Sequence, residues 1–138
     1  MPERDETEGA TMPGARDNGP DVIVDFIFDD GLLFVAVQNI GDKPAYKVSV
    51  QFDRKFHGVG GAKDITEMPL FRNIEFLAPW KDIVTFVDAS AAYFGRDEPT
   101  RILARISYQD AQGKRYRATI THDLEIYRDI GYVRREGE

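Results

Sequence analysis

Short runs of alternating apolar and polar residues begin at Asp21 and recur to Tyr127, separated by Gly, Pro, Asn and Asp. This is the period-two pattern of half-buried strands. The first two runs, Asp21 to Asp29 and Leu32 to Asn39, meet at Asp30-Gly31. Both residues of that pair accept the positive φ of a type I′ hairpin turn. The turn sets Phe28 opposite Leu33, Phe26 opposite Val35 and Val24 opposite Val37, six apolar residues on one side. A slip by one residue would destroy this agreement, so turn and pattern specify the same register.

Tyr46, Val48, Val50 and Phe52 alternate with Lys47, Ser49, Gln51 and Asp53 in a third run. Residues 54 to 64, with His57-Gly-Val-Gly-Gly61, read as a mobile loop. Strands are expected near Asn73 to Leu77 and Asp82 to Val87, then one helical turn from Asp88 to Gly95, capped by Asp88 or Ser90. Arg101 to Asp110 and Lys114 to Tyr127 form a last hairpin around Ala111-Gln112-Gly113, with Gly113 left-handed. That loop pairs Tyr108 with Tyr116, Ile106 with Ala118, Ala104 with Ile120 and Arg101 with Asp123. About seven strands and one helical turn imply an all-β, two-sheet antiparallel sandwich of immunoglobulin-like, fibronectin-III-like type.

Residues 1–20 hold Pro, Gly and charges with almost nothing apolar, and are expected to be a disordered acidic tail. The sandwich then spans 21–128, and 129–138 form a C-terminal extension. At 138 residues there is room for one core, and 42% hydrophobic with 30% charged residues is ordinary for a globular chain. The net charge of −6 argues against a general nucleic-acid or anionic-membrane binder, leaving room only for a local basic strip. No run is long enough to insert in a bilayer and the first twenty residues lack a signal-like apolar core, so a cytoplasmic location is expected. With no cysteine, disulfides, thiolate metal sites and cysteine nucleophiles are excluded.

The stretch from Leu33 through Asn39-Ile-Gly41 to Val50 resembles the signature of bacterial immunoglobulin-like modules, including the cell-adhesion-related domain found in bacteria. In these an apolar strand ends in an Asn-x-Gly turn and a small residue opens the next strand. Leu77-Ala-Pro79 before a strand, and Tyr108-x-Asp110-x-x-Gly113, are similar to the same group. The resemblance implies a scaffold of turns and core positions, carries no chemistry, and departs from the frequent Pro-Gly at Pro79-Trp80.

Candidate chemistry is sparse, and no catalytic, cofactor-binding or metal residue is assigned. His57 falls in the Gly-rich loop and His122 on the inward side near a strand end, where a core or rim histidine with a satisfied ring is expected. Asp25 and Asp29 lie about 13 Å apart along one strand, too far to share a calcium ion. The serines and threonines lack a nucleophile-elbow context, so the chain is expected not to be an enzyme.

One surface departs from the ordinary pattern. The first hairpin turns Ile23, Ile27, Phe34 and Ala36 outward, and Ile83 and Val87 join them if Val84 and Phe86 face the core; the opposite parity exposes Val84 and Phe86 instead. Sandwich sheets carry polar residues outside, so this face needs a cover: the segment with Ile130, Tyr132 and Val133, the helical turn near Tyr93 and Phe94, a second copy, or another protein. The functional expectation is a protein-interaction or assembly module presenting this face. The alternative is a carbohydrate- or peptide-binding sandwich using Trp80, His57 and residues 54–64.

Overall fold

The protein was analysed as a computed structural model, which describes residues 19–130. Strand β1 (Val22–Asp29) turns at Asp30 (φ 57°) and Gly31 (φ 81°) into β2 (Leu32–Asn39). Phe28 pairs with Leu33, Phe26 with Val35 and Val24 with Val37, the register expected from two left-handed turn residues. Strand β3 (Ala45–Phe52) follows, then a two-residue ribbon of β4 (His57–Gly58) and β5 (Lys63–Asp64), helix α1 (Pro69–Arg72) and β6 (Ile74–Leu77). Strand β7 (Asp82–Ala89), helix α2 (Ser90–Gly95), β8 (Arg101–Gln109) and β9 (Arg115–Asp123) complete the domain.

Two antiparallel sheets result. Sheet one has the order β1-β2-β7, sheet two the order β6-β3-β8-β9. The last hairpin pairs Tyr108 with Tyr116, Ile106 with Ala118 and Ala104 with Ile120, around Gly113 at φ 84°. Val24, Phe26, Val35 and Val37 of sheet one share one buried cluster with Val48, Ile102, Ala104 and Ile106 of sheet two. Among the described residues the architecture is an all-β sandwich of seven strands in two sheets, six of them eight or nine residues long and β6 of four.

Three parts differ from the sequence expectation. Lys47 adopts φ 53° and the β3–β8 register shifts between Tyr46 and Ser49, a bulge that increases the local bend. Ala45 is therefore buried while Tyr46 is half-buried and meets Phe76 edge-on at 5.4 Å. Residues 54–64 form the β4–β5 ribbon with a 3₁₀ turn at Val59–Gly61, in place of a loop. With α1 this region sends Phe56, Ile65 and Phe71 fully into the core, where Phe52 contacts Phe56 and Phe71 at 5.2 and 4.9 Å. Finally, the expected cap of α2 is absent: Ala89 precedes the helix without a side-chain cap, because the Asp88 carboxylate is engaged by Arg96 and by Gly60 N–H.

The domain also begins before Asp21, since Pro20 is buried and a Cβ on Gly41 would stand 2.5 Å from the Gly19 carbonyl. Only glycine permits that approach. The rest of the tail expected at residues 1–20, and nearly all of the extension expected at 129–138, lie outside the described residues.

Asn39, 1% exposed, ties this corner together. Its Oδ1 accepts from Asp21 N–H (3.2 Å) and Gly41 N–H (3.0 Å), and its Nδ2 donates to Lys43 O (2.8 Å) and Leu77 O (3.1 Å). All four bonding positions of the amide are thus used. Replacing Asn39 with Ala would remove these bonds from Asp21 N–H, Gly41 N–H, Lys43 O and Leu77 O, of which the bond to Leu77 is fully buried, at about 1 to 3 kcal/mol for a buried group left unsatisfied. Asn39→Ala is expected to lower urea stability by at least about 2 kcal/mol, read from the midpoint of the unfolding transition.

Candidate interaction surface

Strand β2 lies in the centre of sheet one, so its outward residues form the middle of that sheet's outer face. Phe34 pairs with Ile27 on one side and Phe86 on the other; Ala36 pairs with Asp25 and Val84. Parity on β7 follows from the bond of Asn39 N–H to Lys81 O (3.0 Å), which opposes Asn39 to Lys81 and turns Val84 and Phe86 outward. Ile83 points inward against the core and Val87 is buried in it at 1% exposure. Of the six face residues expected from sequence, Ile23, Ile27, Phe34 and Ala36 hold their side, while Val84 and Phe86 stand where Ile83 and Val87 were placed.

The physical reason is that β7 is apolar at 83, 84, 86 and 87, so its sequence fits either parity, and only its pairing with β2 decides between them. Val84 and Phe86 are 46% and 41% exposed, and Leu32, on the same side of β2, is 37% exposed. Phe34 and Phe86 meet edge-on at 5.9 Å. Ala36 is fully buried by its neighbours, so it is a floor rather than a contact point. Leu32 shares the parity of Phe34, a signal legible in the sequence that the expected set left out.

The elements expected to cover this face lie elsewhere, as far as the described residues extend. Tyr93 is 1% exposed and donates its hydroxyl to Pro99 O at 2.6 Å. Phe94 packs on the core and carries the Arg128 guanidinium 4.7 Å from its ring centre. Tyr127 stacks on Phe28 at 5.7 Å and donates its hydroxyl to Phe26 O at 3.2 Å, which places it on the edge of β1. Ile130 is exposed; Tyr132 and Val133 lie outside the described residues.

His122 also serves that edge. Its Nε2 lies 2.8 Å from Val24 O, and its ring meets Phe26 edge-on at 5.0 Å. A carbonyl can only accept, so Nε2 carries the proton, and the imidazole is satisfied as expected of a rim histidine.

A dense cluster of charges clamps the ribbon to β7. Arg96 reaches Asp88 Oδ2 (2.9 Å) and Ala92 O (3.1 Å) through Nη1, Glu98 Oε2 (3.2 Å) through Nε, and His57 O (3.1 Å) through Nη2. Glu98 Oε1 accepts from His57 N–H at 2.9 Å and lies 3.4 Å from His57 Nδ1. Burial opposes the charge on Arg96, yet the bonds to Asp88 and Glu98 outweigh it and hold the guanidinium above its ordinary value. His57 and Trp80, proposed together as ligand contacts, belong to different surroundings: His57 sits in this clamp, and Trp80 in the β6–β7 turn, bonded through its N–H to Asn39 O at 2.8 Å.

Trp80 itself is 70% exposed and has φ 63°. Lys81 N–H donates to Ala78 O at 3.2 Å, so Pro79 and Trp80 fill the central positions of a type II turn whose second position favours glycine. Among the described residues there is no cluster of three potential metal ligands and no helix long and apolar enough to cross a membrane.

The fold and surface define an all-β sandwich domain with an apolar sheet face that the described residues leave exposed. Residues 8–128 match the profile of a family described as a domain of unknown function, DUF8453, and the chain belongs to that family. Searches of curated proteins and of solved structures return no significant match.

Burial, followed by the nearby Glu98 carboxylate, pushes the Tyr93 hydroxyl far above its ordinary value of 10.0. A raised value in the folded state means stability is complete below the ordinary tyrosine value and falls as pH rises above it. Urea midpoints measured from pH 8 to 11 are expected to decline above about pH 10, and to decline less steeply in Tyr93→Phe.

Proposed function

We propose that this domain is a non-catalytic protein-interaction module of immunoglobulin-like, fibronectin-III-like type, working through the outer face of sheet one. In constant-type immunoglobulin sandwiches the fourth long strand sits with the first, second and fifth. Here β6 pairs with β3 instead, which supports the fibronectin-III-like variant. The observation that carries the functional reading is the contiguous set Leu32, Phe34, Val84 and Phe86 on a sheet face that ought to be polar. Ile23 and Ile27 extend the set across β1. A cytoplasmic setting remains part of the proposal, on the sequence grounds given above.

Phe34→Asp tests it, since the side chain stands at the centre of the face. Partner capture by the purified domain is expected to fall at least tenfold, about 1.4 kcal/mol, with the circular dichroism spectrum retained. Equal capture by wild type and variant, both folded, would count against the face.

A second reading is favoured by Trp80. A left-handed conformation costs a residue with a side chain about 1 to 2 kcal/mol, and such strain concentrates at ligand-binding positions. Exposed Ile40 follows Asn39, whose carbonyl holds the Trp80 N–H, so the two offer an apolar platform for a sugar or peptide. Trp80→Gly relieves the strain and removes the platform. Thermal unfolding is expected to be unchanged or shifted upward by up to about 1 kcal/mol, while binding to a glycan or peptide array is lost; a clear drop in stability would show the indole to be a packing element.

A further inference from the structure

Four strand edges bound the two sheets, and three of them are protected. On β1, the Val24 and Phe26 carbonyls are taken by His122 and Tyr127. On β9, the exposed residues include Arg115, Arg117 and Asp123. Edge β6 is only four residues long, and its Glu75 pairs with Lys47 at 3.5 Å. Side-chain capping, charge and shortness are the usual defences against unwanted strand pairing. Among the described residues, edge β7 has none of these from Ile83 to Val87.

Its main chain is also aimed outward. Because the Lys81 carbonyl accepts from Asn39 N–H and so faces β2, alternation makes Val37/Ile83 and Val35/Thr85 the bonded pairs of the β2–β7 ladder. Asp82, Val84 and Phe86 therefore turn both N–H and C=O away from β2. The open stretch ends at the Trp80 turn on one side. On the other, Gly58 packs so closely on the Val87 carbonyl that a Cβ there would collide with it. What stays open is residues 82 to 86, whose midpoint is Val84.

Resting on the reading of sheet one as the contact surface, we propose that this edge pairs with the same edge of a second copy of the chain, antiparallel about a two-fold axis beside Val84. Self-pairing suits it because the midpoint residue is one that points its own N–H and C=O outward, so a two-fold there joins the whole open stretch to itself in a bonded register. Charge agrees with this register: centring on Val84 sets Asp82 opposite Phe86 of the second copy, whereas centring on Asp82 would set the two Asp82 carboxylates opposite each other, a repulsive cross-strand pair. The product is a six-stranded sheet on which Val84 and Phe86 of both copies meet, continuous with Phe34. A contact of this length belongs with small, transient interfaces below about 1,200 Å².

Sedimentation velocity on the full chain from about 1 to 500 µM, the range suited to a weak interface, is expected to show a reversible monomer–dimer equilibrium. Val84→Pro deletes only an outward N–H, so the β2 ladder is kept; dimer dissociation is expected to rise at least tenfold with the circular dichroism spectrum unchanged. Phe86→Lys, a charge on the edge, is the second variant and should act alike. Amide exchange at Val84 and Phe86 should slow as concentration rises. A chain that stays monomeric throughout, or a dimer that both folded variants leave intact, overturns the edge pairing. Phe34→Asp separates the two readings, because it changes the face and leaves the edge backbone untouched: a dimer lost in Phe34→Asp and kept in Val84→Pro refutes edge pairing while retaining the face.

Discussion

Everything at one end of the sandwich depends on the buried amide of Asn39. A carboxamide out of contact with water is tolerated only when its donors and acceptor are all paired, and here the partners come from three separate places in the chain. Asp21 brings the entry to β1, Gly41 and Lys43 shape the turn into β3, and Leu77 belongs to the other sheet. The main chain of Asn39 adds bonds to Lys81 and Trp80. One residue thereby fixes where β1 starts, how the chain crosses between sheets, and the register of β7. That register decides which of the apolar β7 residues meet solvent, so the character of the outer face follows from a polar group in the interior.

Local signals made the two long hairpins legible. Asp30-Gly31 and Gly113 demand left-handed backbone, and with the turn fixed, period-two alternation leaves one register that buries Val24, Phe26, Val35 and Val37 together. The same logic fails where alternation is broken silently. Lys47 looks like an ordinary outward lysine, and its left-handed conformation answers to pairing with β8, which local sequence does not encode. Strand β7 is apolar on both sides, so pattern alone could not choose between Val84 with Phe86 and Ile83 with Val87. Residues 54 to 64 looked like a loop, and 65 to 72 suggested no element, because Phe56, Ile65 and Phe71 keep neither strand nor helix spacing; their burial comes from plugging the sandwich, a tertiary effect. The Arg96 clamp joins residues some forty positions apart and left no motif.

Charge is distributed with the same economy. Although the chain carries a net charge of −6, its arginines have distinct tasks: Arg96 neutralises buried carboxylates, while Arg115 and Arg117 line an exposed strand. Neither use raises affinity for a polyanion in general. The acidic balance keeps copies of the chain apart at long range, which suits a weak and specific contact better than a sticky one.

The capping of β1 by His122 and Tyr127 has a consequence for how the protein is made. Those side chains lie 98 and 101 residues beyond the carbonyls they occupy. As the chain leaves the ribosome, the first hairpin can close within its own residues, yet its outer edge stays open until nearly the whole domain has been synthesised. Through that interval nascent chains on one message present bare strand edges to one another, the situation in which mispairing is most favoured. The segment from His122 to Tyr127 acts as a seal applied to the first hairpin, and a ribosome that stalls before Tyr127 releases a product able to form most of the sheets but not to protect them.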